Sequence, residues 1–448
     1  MSHRAGLFVL VALLLAGCAR KDPYYCPGRN HNDNCAEPPE PTPCTSNDQC
    51  AEPTGVCDVT GSMTCVQCTP DQPGACTGAT PACGEDRTCR ACQAHPECPA
   101  SDACLPDGSC VDPAQIAYVK PPSLGGTDNP SCTLAMPCTK VASALATGRP
   151  YVKLAGTNDE GGTVSIDSRN VILLAERDAK LVRTSNGLHV EVKGTSQVEI
   201  YDLEISGATG AQGFGISMPT GNTATLTLRR VKVSDNAGGG IVANGGTLTI
   251  SQSTISGNQG RGISSDAGTL TISQSTISEN QGGGISMMNG TFGIVGNVFF
   301  ANGTQTGTLG GISISTTQNV PNRLEFNSFN SNQTQLGIGS AIHCIAGSFT
   351  ARNNIMSGNG TLTNMEQVGG TCAHTYSIVR PGMLPSGVGN SSADPLFVNT
   401  TTGDLHLSPG SPALGAADPN SDLTGPAERD IDGGVRTSPA DIGADEVP

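Results

Sequence analysis

The residues best suited to acid–base chemistry lie in two short stretches. Asp202 and Glu204 stand about one repeat ahead of Arg229, Arg230 and Lys232. Two carboxylates facing one bond are what glycosidic hydrolysis needs, about 6.5–9.5 Å apart for inversion. Calcium-assisted elimination needs several Asp for the ion and a basic residue that takes a proton. Asp202, Glu204, Arg230 and Lys232 are the weak catalytic candidates on these grounds. Acids set against bases on adjacent repeats also suit a solvated salt-bridge ladder, and that is the preferred reading. Between residues 206 and 380 the acids are few: Asp235, Asp266, Glu279, Glu325 and Glu366, the first three taken to occupy different repeat positions. His189, His343, His374 and His406 lie far apart in the repeat and read as isolated. No Ser-His-Asp arrangement can be assembled from the spacing. Asp430, Asp432, Asp441 and Asp445 admit Ca²⁺, although turn and cap hydrogen bonds explain them better, so no metal site is assigned.

Cysteine is the other reactive side chain. The chain holds 19, of which fourteen lie between Cys26 and Cys110. They fall into three four-cysteine units: Cys44, Cys50, Cys57, Cys65; Cys68, Cys76, Cys83, Cys89; and Cys92, Cys98, Cys104, Cys110. The C-x-x-C junctions at Cys65–Cys68 and Cys89–Cys92 have zinc-ribbon spacing. The cysteines inside each unit favour disulfides instead, with three pairings open per unit. So few apolar residues accompany them that cross-links must replace a core. A stalk or spacer is the plain reading of 44–111, and a protein-binding module the sharper one. Two further pairings are expected: Cys132 with Cys138 across a small loop, and Cys344 with Cys372 across stacked neighbours.

After Cys110 a periodic pattern takes over. Residues 246–256 (GTLTISQSTIS) recur unchanged at 268–278, with looser copies at 224–234 and 290–299, so the period is 22 residues. Apolar and polar positions alternate within each copy, as in strands. Such a period predicts a β-solenoid whose coils stack about 4.8 Å apart. The ladders are Leu226, Leu248, Leu270, Phe292; Leu228, Ile250, Ile272, Ile294; and Val233, Ile255, Ile277, Phe299. Asn236, Asn258, Asn280 and Asn302 recur at a turn, where each can hydrogen-bond its copies above and below. Longer intervals of 28 and 30 residues flank the regular copies and predict loops that bulge from the turns. The composition agrees: 58 glycines, 3% aromatics and no Trp. A net charge of −15 argues against nucleic acid as a partner.

Four resemblances add to this. His3 and Arg4, the apolar run 5–16 and Leu15-Ala16-Gly17-Cys18 resemble a bacterial lipobox, which implies cleavage before Cys18 and lipid on it. Ala19, rather than Asp, follows the Cys and leans towards the outer membrane. The repeats, and residues 117–157 with their capping-helix segment 139–147, resemble bacterial surface proteins with right-handed parallel β-helix repeats. Residues 393–446 (ADPLFVN…LSPGSPA…DIDGGVR…ADIGADE) resemble the C-terminal region of choice-of-anchor β-helix proteins. Gly-Gly-Gly-Ile at 238–241 and Phe-x-x-Asn at 299–302 more weakly resemble polymorphic outer-membrane protein repeats. The polygalacturonase-like set of N-T-D, D-D, G-H-G and R-I-K is missing from the chain.

The expected organisation is a signal peptide (1–17), a lipidated tether (18–43), stapled repeats (44–111), a right-handed parallel β-helix with an N-terminal cap (112–390), and a C-terminal cap or anchor-type region (391–448). The fold class is all-β, with three-strand coils of about 22–30 residues. The expected role is non-catalytic display at the cell surface, the membrane being a partner through the lipid and a polysaccharide or surface protein being the ligand. A polysaccharide lyase or glycosidase is the alternative, and a purely structural envelope component a third reading. No cofactor is expected beyond the Ca²⁺ noted above.

Overall fold

A computed structural model describes residues 43–316, 322–336, 338–347, 349–361 and 363–448. The signal peptide, Cys18, the tether to residue 42, Cys26 and Cys35 lie outside the described residues. Two compact units are present, Met1–Ala91 and Cys92–Pro448.

In the first unit the sulfur chemistry is settled by pairing. Cys44 bonds Cys57 and Cys50 bonds Cys65; Cys68 bonds Cys83 and Cys76 bonds Cys89. First joins third and second joins fourth in each. The C-x-x-C junctions therefore have no thiolates left for zinc. Two-residue strands clip together around these bonds, Val56–Cys57 against Cys65–Val66 and Ala82–Cys83 against Cys89–Arg90. Half-cystines supply much of the buried surface, with Cys44, Cys57, Cys68 and Cys76 all buried.

The second unit begins with the third cysteine module, Cys92–Cys104 and Cys98–Cys110. This module belongs with the solenoid, which places the working boundary at Cys92 rather than after residue 111. Ala103 and Val111 pack with Ile116, Tyr118, Leu174 and Tyr201. The Tyr118 hydroxyl donates to the Ser101 carbonyl at 2.7 Å. Lys153 is buried with its Nζ 3.3 Å from Glu176. Burial holds that ammonium down, against the pull of Glu176 and Asp102.

The solenoid itself is a parallel β-helix with three faces. The first face runs from Ile116–Val119 and Tyr151–Leu154 through Asn170–Ala175, Gln197–Tyr201 and Thr269–Ser273 to Ala373–Thr375. The second is a 10-stranded sheet, from Thr157–Asp159 to Ile378–Arg380. The third holds Val164–Asp167, Val190–Lys193, Ile263–Asp266 and their successors to Val368–Gly370. Phe214–Arg229 and Gly239–Ser251 bend through the third and first faces without a break. The three apolar ladders stack in the expected register: Leu226 on Leu248, Leu270 and Phe292; Leu228 on Ile250, Ile272 and Ile294; Val233 on Ile255, Ile277 and Phe299. A short helix, Val141–Ala146, lies where a capping helix was expected. Cys132 is bonded to Cys138 and Cys344 to Cys372.

Two internal polar ladders hold the corners. Asn236, Asn258, Asn280 and Asn302 form the first, continued by Asn332 and Asn359 and closed by Gln367. Each Oδ1 takes both the backbone N–H and the Nδ2 of the Asn one coil earlier, as Asn280 does for Asn258 at 3.3 and 2.8 Å. The second ladder lies between the first and second faces: Ser253, Ser275, Asn297, Asn327, Asn354, Ser377.

Asn280→Ala removes the acceptor for two buried N–H groups of Asn258. Each unpaired buried group costs about 1–3 kcal/mol. Urea unfolding should therefore show Asn280→Ala destabilised by about 2–4 kcal/mol, while Thr269→Ala on the exposed surface stays within about 0.5 kcal/mol. Equal losses for the two variants would remove the ladder from the account of stability.

Candidate functional site

The corner carrying the second ladder also builds the candidate site. It is two residues long in most coils and four where Asp178 lies, and the residue before the inward one adopts positive φ: Asp178 (68°), Asp202 (62°), Arg230 (55°), Gln252 (51°) and Gln274 (50°). Their ladder neighbours Ala179, Leu203, Val231, Ser253 and Ser275 are buried, so each pair puts one side chain in and one out. One outward side chain per coil, about 4.8 Å apart, makes a row. Positive φ is uncommon for such residues and is tolerated here because the stacked backbone on either side dictates the turn.

Three depressions follow this row. One, of about 680 Å³, is lined by the third cysteine module (Gln93, His95, Leu105) and by Arg177, Asp178, Asp202, Arg229 and Arg230. A second, about 450 Å³, is lined by Arg230, Gln252, Gln274, His406 and Asp432. The third, about 420 Å³, shares Arg229, Gln252 and Gln274 and adds Arg429. Shared residues join them into one open groove along the flank of the solenoid.

The far wall comes from the C-terminal segment. Phe397–Asn399 and Asp404–Leu407 form a hairpin there. Leu407, Ala413, Ala440 and Ile442 pack against Val295, Phe326, Ile355 and Ile378 of the coils. Arg436, its side chain fully buried, donates to the carbonyls of Gly443 and Ala444, lies 3.4 Å from Glu446 and covers the Phe326 ring. Gln274 Nε2 donates to the Asp430 carbonyl at 2.9 Å, tying wall to floor. The segment thus lies along the flank of the coils.

The four residues singled out from sequence divide into two networks. Arg230 grips Asp202 with two bonds, 2.6 and 2.8 Å, and this partner raises its already high pKa. Glu204 lies on the outside of the second face between Lys180 and Lys232, at 3.1 and 3.6 Å. The register Lys180–Glu204–Lys232 makes this a cross-coil ion ladder. Each carboxylate is thus occupied by cations. Asp235 and Glu279 correct the reading of dispersed acids: both take the same corner position, two coils apart with Gly257 between them. Asp430 and Asp441 serve as turn and cap acceptors, for Asp432 and Gly434 and for Gly415 and Val447.

Sequence reasoning did not bring together Asp178, Gln252, Gln274 and Arg429, nor His406 with Asp432. For Gln252 and Gln274 a signal existed, since Arg230, Gln252 and Gln274 follow the 22-residue period. His189 and His374 are buried, and His343 sits partly buried on the outer third face, where burial lowers its pKa. The outward ladder of that face is mostly hydroxyl: Ser264, Ser286 and Ser313 lead to His343.

A family model described as "Right handed beta helix region" matches residues 163–319 and 214–379. Among solved structures the chain is similar to pectate lyase Pel9A, with 14% identity and a TM-score of 0.45, over 74% of this chain and 96% of that one. No curated protein matches it. The fold is an all-β, right-handed parallel β-helix.

Desolvation pushes His189 and His374 down to about 4. Their folded values lie below the unfolded value of about 6.5, so the unfolded chain binds the protons first. Their contribution to stability is therefore full above pH 6.5 and falls as pH drops towards 4. At about 1.4 kcal/mol per pH unit, each contributes at most about 3 kcal/mol. His189→Gln, which keeps a donor for the Ser206 carbonyl, should flatten part of that slope in unfolding measured from pH 7 to 4. An unchanged slope would show that other groups set the acid sensitivity.

Proposed function

We propose that this chain is a non-catalytic display protein of the bacterial cell surface. Lipid on Cys18 anchors it, the cysteine modules space it from the membrane, and the β-helix presents a groove to glycan or protein ligands. Ala19 after the lipidated Cys favours the outer membrane. The single observation carrying the binding reading is the corner row Asp178–Asp202–Arg230–Gln252–Gln274, walled at one end by the third cysteine module and at the other by the C-terminal segment.

The row's chemistry suits a polymer. Guanidinium and amide groups at a regular spacing can donate to successive sugar hydroxyls or carboxylates. Arg177, Arg229, Arg230 and Arg429 collect on the groove of a chain whose net charge is −15, so an acidic glycan is the favoured ligand. An open groove with partly engaged charges predicts modest affinity, weakening with salt. The catalytic alternative needs a free carboxylate or base beside the bound sugar. Asp202 and Glu204 are already held by Arg230, Lys180 and Lys232.

Two experiments test this. The full chain should bind acidic polysaccharides more tightly than neutral ones and release no new chain ends, with or without Ca²⁺. Arg229→Ala with Arg429→Ala should weaken binding roughly tenfold. Cleavage abolished by Asp202→Ala or Arg230→Ala would replace the display reading with the enzymatic one. Separately, Cys18→Ser should move the protein from membranes into the soluble fraction of expressing cells. Membrane retention of that variant would remove the lipid anchor from the proposal.

A further inference from the structure

One cluster of ligating groups is not used by this reading. His406, Asp432 and Asp445 each bring one ligand atom into a set whose members all lie within 4.8 Å of one another. They come from separate parts of the C-terminal segment. His406 is on the strand Asp404–Leu407, Asp432 on the turn after Ile431, and Asp445 near the chain end.

Each is held in place by a partner outside the set. Asp404 Oδ1 takes His406 Nδ1 at 2.5 Å, which fixes the ring and its tautomer. Asp430 Oδ1 accepts the Asp432 N–H at 3.1 Å and holds the turn. Asp445 is buried, and its Oδ2 accepts the Leu407 N–H at 2.7 Å. Such an orienting outer layer is what metal ligands require.

The second observation is His406 Nε2. This nitrogen is buried and has no hydrogen-bond partner. Asp432 Oδ2 nevertheless lies 3.0 Å away, so the contact is off the N–H direction. The imidazole side chain is 40% exposed and pairs with Asp432, so an ion bound here would take the place of that contact and join the ring nitrogen to both carboxylates. Protein ions of this kind take nitrogen at about 2.0–2.1 Å and carboxylate oxygen at about 2.0–2.2 Å.

We propose that His406, Asp432 and Asp445 form a binding site for a divalent transition-metal ion of the Zn²⁺ or Mn²⁺ type. One imidazole and two carboxylates match that class, whereas Ca²⁺ and Mg²⁺ take all-oxygen sets. Three protein ligands leave coordination positions open. His406 and Asp432 line the same depression as Arg230, Gln252 and Gln274, so the open positions face the groove. Asp404 is a positioning residue, acting only through His406.

The test uses the untagged full chain, stripped with chelator and titrated with Zn²⁺, Mn²⁺, Ca²⁺ and Mg²⁺ by calorimetry. One equivalent of Zn²⁺ or Mn²⁺ should bind, and raise the thermal midpoint, with Ca²⁺ and Mg²⁺ at least tenfold weaker. Asp432→Asn should cut transition-metal affinity at least tenfold; its side chain is 67% exposed, so the fold tolerates the change. His406→Ala should do the same, and Asp404→Asn should cost about tenfold or more through the lost orientation. Binding that survives both Asp432→Asn and His406→Ala, no transition-metal binding at all, or Ca²⁺ binding as tightly as Zn²⁺ would each overturn the assignment.

Discussion

Every coil of a solenoid must turn its corners inside a dry stack, and a backbone N–H at a tight corner has no strand partner. Burying that group unpaired costs about as much as a whole side-chain hydrogen bond contributes. The rest of this structure depends on how that is met. At one corner an Asn ladder supplies the acceptors from residue 236 to 359; at another, Ser and Asn supply them from 253 to 377. Amide side chains do this well because one Oδ1 accepts from the neighbouring backbone and side chain while its own Nδ2 donates onward. The tight turn at this corner takes positive φ just before its inward residue, whether that residue is Val231 or Ser253, and so sets the preceding side chain outward. The groove floor is thus a by-product of satisfying the interior: a corner that must place one residue in places the other out.

How much of this was legible depended on whether the pattern repeats. Leu248, Leu270 and their partners announce the stack because burial selects large apolar groups at a fixed interval, and the register is as read. Asn236 to Asn302 were legible for the same reason. The second ladder was not, because its early positions are Leu203 and Val231, which pack rather than bond, and it becomes Ser and then Asn only further along. Chemical identity drifts there while the position stays constant. The metal-ligating set was hidden differently. Of the four aspartates near the end, Asp430 and Asp441 are turn and cap acceptors, and Asp432 and Asp445 join a histidine 26 and 39 residues earlier. Sequence spacing cannot show which aperiodic segments fold back together.

Charge tells a related story. A net −15 describes the chain, not its surfaces, and opposite charges are placed by register. Lys180, Glu204 and Lys232 face one another because three successive coils bring the same outward position into line. Single exposed pairs of this kind contribute little to stability. Their effect on geometry is larger: Glu204 is flanked by Lys180 and Lys232 at 3.1 and 3.6 Å, so its oxygens are already engaged. The stacking that makes Asp202 and Glu204 look like an acid–base pair in sequence also supplies the partners that occupy them.

The C-terminal segment converts a uniform flank into a bounded groove. Its own contacts are of two kinds. Ala413, Ala440 and Ile442 pack on Phe326 and Ile355, a small apolar seam. Polar ties then set the alignment, with Arg352 reaching Asp418, Arg323 reaching Asp422, and Ser328 Oγ accepting the Ala444 N–H. Small apolar seams slide easily; directional ties do not. Arg436 stands at the centre, giving its donors to carbonyls of the final turn and its charge to Glu446, so the last residues are held by a group that would be costly to leave alone. That turn carries Asp445, and the loop before it carries Asp432. A solenoid whose coils are nearly interchangeable gains a distinct place on its surface only where a non-repeating segment is docked in one alignment, and here that alignment decides both where the groove ends and which side chains meet at its wall.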